Sequence, residues 1–186
     1  MIIEDGTGTG RKAKVTTSQM LQTDAVTVSR EHYINHVNGE AFNIVFVQAP
    51  TAGDDCIFYF ENSSDDDSII EGVTLAVSGA AEVYVQINDV GTRNAAVDLV
   101  PANLNASGSK VGDGVFEQGA DLDGGAATLA GGYEIERYVF YAATNSSHFN
   151  FEQDVMIQKN RTLTIWSSAI VTVNATLVYN QDPGEG

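Results

Sequence analysis

Glu82-Val83-Tyr84-Val85-Gln86-Ile87 is the stretch that decides the fold class. Val83, Val85 and Ile87 fall on every second position, the spacing that puts all three on one face of an extended chain. A helix would space its apolar residues three and four apart. Upstream, the same texture appears in Ala25-Val26-Thr27-Val28-Ser29, in Phe42-Asn43-Ile44-Val45-Phe46-Val47 (closed by Pro50) and in Cys56-Ile57-Phe58-Tyr59-Phe60. Residues 68–77 continue it. Downstream lie runs at 133–141, 148–157, 162–166 and 170–179, which brings the total to nine strand-like segments. Gln158-Lys159-Asn160-Arg161 reads as a hairpin turn, with Asn160 the residue suited to positive φ. Residues 18–24 leave room for a turn or two of helix and nothing longer.

Short strands separated by turns, without a convincing helix, define an all-β chain. Two four-stranded sheets would use eight of them, and the absence of a Cys…Trp…Cys pattern argues against an immunoglobulin-type sandwich. The expected architecture is a jelly-roll-like sandwich of two antiparallel sheets over residues 15–180. A flexible Gly-rich and basic arm is expected at 1–14 and a tail at 181–186. Residues 92–132 are expected to be a long loop insertion, because Pro101, Gly108, Gly112, Gly114, Asp123-Gly124-Gly125 and Gly131-Gly132 interrupt every run there.

The chain has 186 residues, 43% of them hydrophobic, so one globular domain with a tail accommodates it. Its 25 acids against 9 Lys and Arg give a net charge of −16. That balance argues against nucleic acid as a partner, since affinity for the phosphate backbone comes from basic side chains, and equally against an anionic membrane surface. The single cysteine, Cys56, excludes an internal disulfide and a multi-cysteine zinc site. No apolar run reaches the ~20 residues that span a bilayer, and Met1-Ile2-Ile3-Glu4-Asp5-Gly6 lacks the basic start and apolar core of a signal peptide. The charge is also uneven. Arg11, Lys12 and Lys14 supply a third of the basic residues, whereas residues 31–92 hold eleven acids and no Lys or Arg.

Several residues invite a chemical reading. Gly6-Thr7-Gly8-Thr9-Gly10-Arg11-Lys12 has the glycine content of a phosphate loop, but Ala13 follows the lysine where Ser or Thr is needed, and no strand precedes it. His32 and His36 have the spacing of two ligands on a helix, yet in an extended chain they stand about 13 Å apart. Cys56 opens an apolar run, the setting of a small core residue rather than of a nucleophile. Asp65-Asp66-Asp67 and the pair Asp121 and Asp123 offer the oxygen ligands that calcium takes, without the alternating spacing of an EF-hand. The strand aromatics Phe58, Tyr59, Phe60, Tyr138, Phe140 and Tyr141 point alternately to two faces; burial of both would require packed sheets plus a second cover. Neither a catalytic, cofactor nor metal constellation is expected, which moves weight from an enzyme to a structural or binding protein.

Several segments resemble small virion proteins of tailed bacteriophages. They are Gly39-Glu40-Ala41-Phe42-Asn43, Pro50-Thr51-Ala52-Gly53-Asp54-Asp55-Cys56, Ile135-Glu136-Arg137-Tyr138, Phe149-Asn150-Phe151-Glu152-Gln153-Asp154 and Lys159-Asn160-Arg161-Thr162-Leu163-Thr164. The resemblance extends over most of the chain in scattered pieces, none of which has a chemical role, so no functional residue carries over. It implies a β-rich, often jelly-roll protein that cements or decorates the outside of a capsid shell, or else a component of a tail or head fibre. The expected partners are major capsid protein subunits and further copies of the chain. On that reading Arg11, Lys12 and Lys14 are the candidate partner contacts. The alternative is a receptor- or carbohydrate-binding module, with its site on loop 92–132 at residues such as Phe116, Asp121 and Asp123.

Overall fold

The computed structural model describes residues 39–182 together with Asn35 and three short strands nearer the start, β1 (Ile3–Glu4), β2 (Lys12–Val15) and β3 (Leu21–Gln22). The expected strand at 25–29, the Gly6–Gly10 loop, Arg11, His32, His36 and residues 183–186 lie outside the described residues. Two compact units divide at Arg30 and Glu31. In the first, β1, β2 and β3 form an antiparallel sheet in that order. The segment expected to be an arm therefore carries two strands, and Leu21–Gln22 is extended where the sequence allows a helical turn. Lys12-Ala13-Lys14-Val15 does alternate and ends in a β-branched residue, which suits a strand.

The second unit holds eight long strands: β4 (Ala41–Gln48), β5 (Asp55–Glu61), β6 (Asp67–Val77), β7 (Ala81–Ile87), β11 (Tyr133–Phe140), β12 (Ser147–Ile157), β13 (Thr162–Ser167) and β14 (Val173–Asp182). Three short ones, β8 (Val97–Asp98), β9 (Ala102–Asn103) and β10 (Val115–Gln118), lie between β7 and β11. Among the long strands the first pairs with the last, the second with the seventh, the third with the sixth and the fourth with the fifth. That is an antiparallel ribbon doubled on itself and wound into two sheets, the connectivity of a jelly roll. The sheets run β11-β7-β13-β5-β10-β8 and β12-β6-β14-β4-β9.

Alternation explains the core between them. Phe42, Ile44 and Phe46 of β4, Val73, Leu75 and Val77 of β6, and Val173, Ala175, Leu177 and Tyr179 of β14 face Phe58, Phe60, Val83, Val85, Leu163 and Ile165 of the opposite sheet. Ring pairs lock the layers: Phe46 on Phe58 at 4.8 Å and Phe60 on Phe116 at 4.5 Å between centroids, each worth about 0.5–1.5 kcal/mol beyond its burial. The β5–β13 register shifts at Ile57, so that Trp166 faces Cys56 while Ile165 faces Phe58. The extra residue flips the phase of the strand start, and Cys56 joins Tyr59 on the outer face instead of sharing the inner face with Phe58 and Phe60.

β14 starts at Val173 rather than at 170, because Ala169 and Val171 make a turn that returns Val171 N–H to the Ala169 carbonyl at 2.8 Å. It runs on through Gln181 and Asp182, into the expected tail. The turn between β12 and β13 is as the sequence predicts. Asn160 has φ of 59°, and Arg161 N–H donates to the Gln158 carbonyl at 2.9 Å. Replacing Asn160 by Gly should leave stability within about 0.5 kcal/mol, whereas Asn160→Val should cost about 1–2 kcal/mol by forcing a β-branched residue into the left-handed region. Equilibrium denaturation of the two variants checks this, and equal stabilities would count against the turn.

Candidate functional site

The outer faces of the two sheets differ, and that difference starts from residues 88–132. This stretch is not a free loop. β10 extends the six-stranded sheet beside β5, and the ring of Phe116 is buried against Phe60. Beyond β10 the chain folds back over the outside of the same sheet. Leu122 N–H donates to the Cys56 carbonyl at 2.9 Å, and Leu122 and Leu129 are buried on a second apolar cluster with Cys56, Tyr59, Tyr84 and Trp166. Burying each leucine contributes about 1.5–3 kcal/mol. The central strands β5, β7 and β13 are thus covered on both sides, and the second cover is the chain's own insertion.

Asp89 fastens that cover. It is 1% exposed. One carboxylate oxygen accepts the Thr164 hydroxyl at 2.5 Å, the other accepts Gly132 N–H at 2.8 Å, and its carbonyl accepts the Thr162 hydroxyl at 2.6 Å. Thr164 in turn accepts the indole N–H of Trp166 at 2.9 Å. The start of the insertion, its end and β13 therefore meet at one side chain. Gly132 permits the approach, since a Cβ there would fall 2.5 Å from the Asp89 carboxylate. Gly91 does the same on the inner turn, with φ of 127° and a Cβ position 2.4 Å from the Thr128 carbonyl. Arginines finish the surface. Arg93 lies over the Tyr59 ring at 4.2 Å and pairs with Glu117 at 2.5 Å, and Arg137 lies over Tyr84 at 5.0 Å while pairing with Glu82 and Glu134.

Beside this cover three carboxylates converge. Ligand atoms of Asp55, Asp121 and Asp123 lie within 4.8 Å of one another, the one such group among the described residues. The pairing of Leu122 with Cys56 brings loop and β5 together, so the two aspartates singled out by sequence meet a third one 66 positions earlier. Asp55 is held by Thr51 N–H at 2.9 Å and Ala52 N–H at 2.7 Å, and Asp123 accepts Cys56 N–H at 2.6 Å. These are the residues whose oxygens can hold a hard cation. Burial, and then the neighbouring Asp121 and Asp55 charges, raise the Asp123 carboxyl above its ordinary range against the opposing backbone hydrogen bonds.

Other candidates separate. Asp65 is exposed and pairs with Lys159 at 2.5 Å, and Asp65, Asp66 and Asp67 do not converge. Cys56 is buried, and burial followed by the nearby Asp123 charge pushes its thiol well above the usual range, so it is a core residue. His148 lies on β12 with Nδ1 2.8 Å from the Thr74 hydroxyl. Lys12 and Lys14 lie on β2, in the other unit. Phe116, expected to help carry a binding site on the loop, is in the core and is unavailable to stack on a sugar.

Among the described residues no such lid covers the outside of the five-stranded sheet. Its outward rows include Val47, Asn174 and Ala76, then Val45, Thr176, Thr74 and His148, then Asn43, Val178, Gly72 and Asn150. Asn180 continues the row on β14 and donates its amide N–H to the Glu71 carboxylate, and Val45 and Val47 are 59% and 52% exposed. Comparison with protein-family models, with curated proteins and with solved structures finds no match for this chain.

Two outcomes follow from the lid. Asp89→Ala strands the Thr164 hydroxyl and Gly132 N–H, and should cost about 2–4 kcal/mol; limited proteolysis should then cut within 119–132 before the sandwich unfolds. Loss of both together, with no early cut, would show the lid is not separately fastened. Asp123 titrates in the opposite sense to most carboxylates. Its folded-state pKa lies above the unfolded one, so its contribution to stability grows as pH falls towards the carboxylate range and is lost as pH rises through it. Asp123→Asn keeps an oxygen acceptor for Cys56 N–H and removes the charge. In chelator-containing buffer it should melt above the parent at pH 7, with the gap closing on acidification; thermal melts across pH check the sign.

Proposed function

We propose that this chain is a non-enzymatic virion structural protein, a cement or decoration protein that binds the outside of a phage head shell and stabilises it. The observation that carries the reading is the wound double-sheet fold, with the outside of β5, β7 and β13 packed under the chain's own insertion. A protein displayed in many copies benefits from having few open strand edges. Here the β11 edge carries Arg137, Glu134 and Glu136 and a bulge at 134–136, and β12 carries another irregularity between Asn150 and Val155. The resemblance of the segments quoted above points to the same class, with major capsid protein subunits as the partners. The strong negative charge suits a position outside the shell, away from packaged DNA. Arg11, Lys12 and Lys14 supply charge-complementary contacts to the shell in this proposal.

Shells assembled with and without the protein test it. Occupied shells should withstand higher temperature or internal pressure than bare ones. Equal resistance at full occupancy would remove the cement role, and failure to bind shells at all would remove the class.

A further inference from the structure

We propose that the cavity beside the β12–β13 turn binds a small amphiphile with one carboxylate, whose charge pairs with Arg161 and whose apolar body lies on Ile87, Met156 and Ile157. The inference does not rest on the virion reading. The cavity forms where the end of β7 meets the turn that leaves β12. It holds about 380 Å³ and is lined by Ile87, Asn88, Met156, Ile157, Gln158 and Arg161, within the roughly 300–1,000 Å³ usual for small-molecule sites. Backbone hydrogen bonds fix its walls. Asn88 N–H donates to the Thr162 carbonyl at 3.0 Å, Arg161 N–H to the Gln158 carbonyl at 2.9 Å, and the Arg161 carbonyl accepts Asn62 N–H at 3.0 Å. These walls stand before a ligand arrives, which spares binding the cost of ordering them.

Arg161 singles this cavity out. The second unit has five basic side chains: Arg93, Lys110, Arg137, Lys159 and Arg161. Arg93 pairs with Glu117, Lys110 with Glu40, Arg137 with Glu82 and Glu134, and Lys159 with Asp65. Among the described residues Arg161 alone of the five pairs with no carboxylate, in a chain with 25 acids against 9 Lys and Arg. A guanidinium offers a planar fork of N–H donors that matches a carboxylate in a bidentate pair. In the same wall Met156 is 54% exposed, an adaptable apolar side chain that a hydrocarbon body would take out of water. The remaining polar lining residues, Asn88 and Gln158, are neutral amides, so the cavity supplies one positive charge and no more. That fixes the charge of the ligand. A single negative group is matched, a polyanion is repelled by a body of net charge −16, and an ammonium in the same place meets the guanidinium.

Octanoate is a suitable probe, read by methyl NMR on the full chain, whose three methionines allow Met156 to be assigned through Met156→Leu. Octanoate should shift the Met156 methyl resonance saturably, with a Kd of about 0.1–1 mM, a range open to about ten non-hydrogen atoms. Arg161→Gln, at an exposed position, should weaken binding by about tenfold or more while leaving the melting temperature unchanged. Arg161→Lys should fall between the two, since it keeps the charge and loses the fork. Octylammonium, with the same chain length and the opposite charge, should bind about tenfold or more weakly than octanoate. No shift at Met156 up to about 10 mM octanoate overturns the proposal. So does equal binding by Arg161→Gln, or equal binding of octylammonium.

Discussion

The buried carboxylate of Asp89 ties together three places that sequence keeps far apart: the end of β7, the middle of β13 and the start of β11. Without that tie the 88–132 insertion would be a long acidic loop, and Cys56, Tyr59, Tyr84 and Trp166 would stand in water on the outside of a sheet. With it, the sheet is packed on both sides by a single chain. The interaction has little tolerance. A buried carboxylate must be satisfied by donors, and here a hydroxyl and a glycine N–H meet it within a space that no larger residue than Gly132 can share. Among the described residues, the two sheets differ through this one arrangement, since the lid packs on the six-stranded sheet.

Most of the eight long strands were legible because they alternate and alternation is local, and β5 because turn residues bound its apolar run. Asn160 was legible for the same reason, as a polar turn between two clear runs. What escaped was whatever depends on partners distant in sequence. The bulge at Ile57 lies inside a continuous apolar run whose phase the sequence leaves open, and only the pairing with Trp166 reveals it. Leu122 and Leu129 are single apolar residues in a stretch of Gly, Ala and Asp, too sparse to signal a strand, so the insertion looked like solvent-facing loop. A clue was nonetheless present. Aromatic residues on both faces of β5 demand a cover on each side, and the 92–132 segment is long enough to provide it.

The carboxylate group shows the same division. Asp121 and Asp123 stand out by spacing, but Asp55 joins them only through the docking of Leu122 onto Cys56, a contact no spacing rule encodes. Asp65, Asp66 and Asp67, the more conspicuous run, splay apart because consecutive residues at a strand start point in different directions. Density of acids in sequence was therefore a poor guide to density of acids in space.

The winding has a consequence for biosynthesis. β14 lies between β6 and β4, and β13 between β7 and β5, so the last two strands of the unit are central in their sheets. Until they leave the ribosome, β4 and β6 have no common neighbour, and neither have β5 and β7. The nascent chain holds two incomplete half-sheets with unpaired edges, and its closing contacts join residues such as Ala41 and Asn180. Such long-range closure is slow, which delays folding of this unit until β14 has been made and leaves a chain cut near residue 160 without the strands at the centre of both sheets.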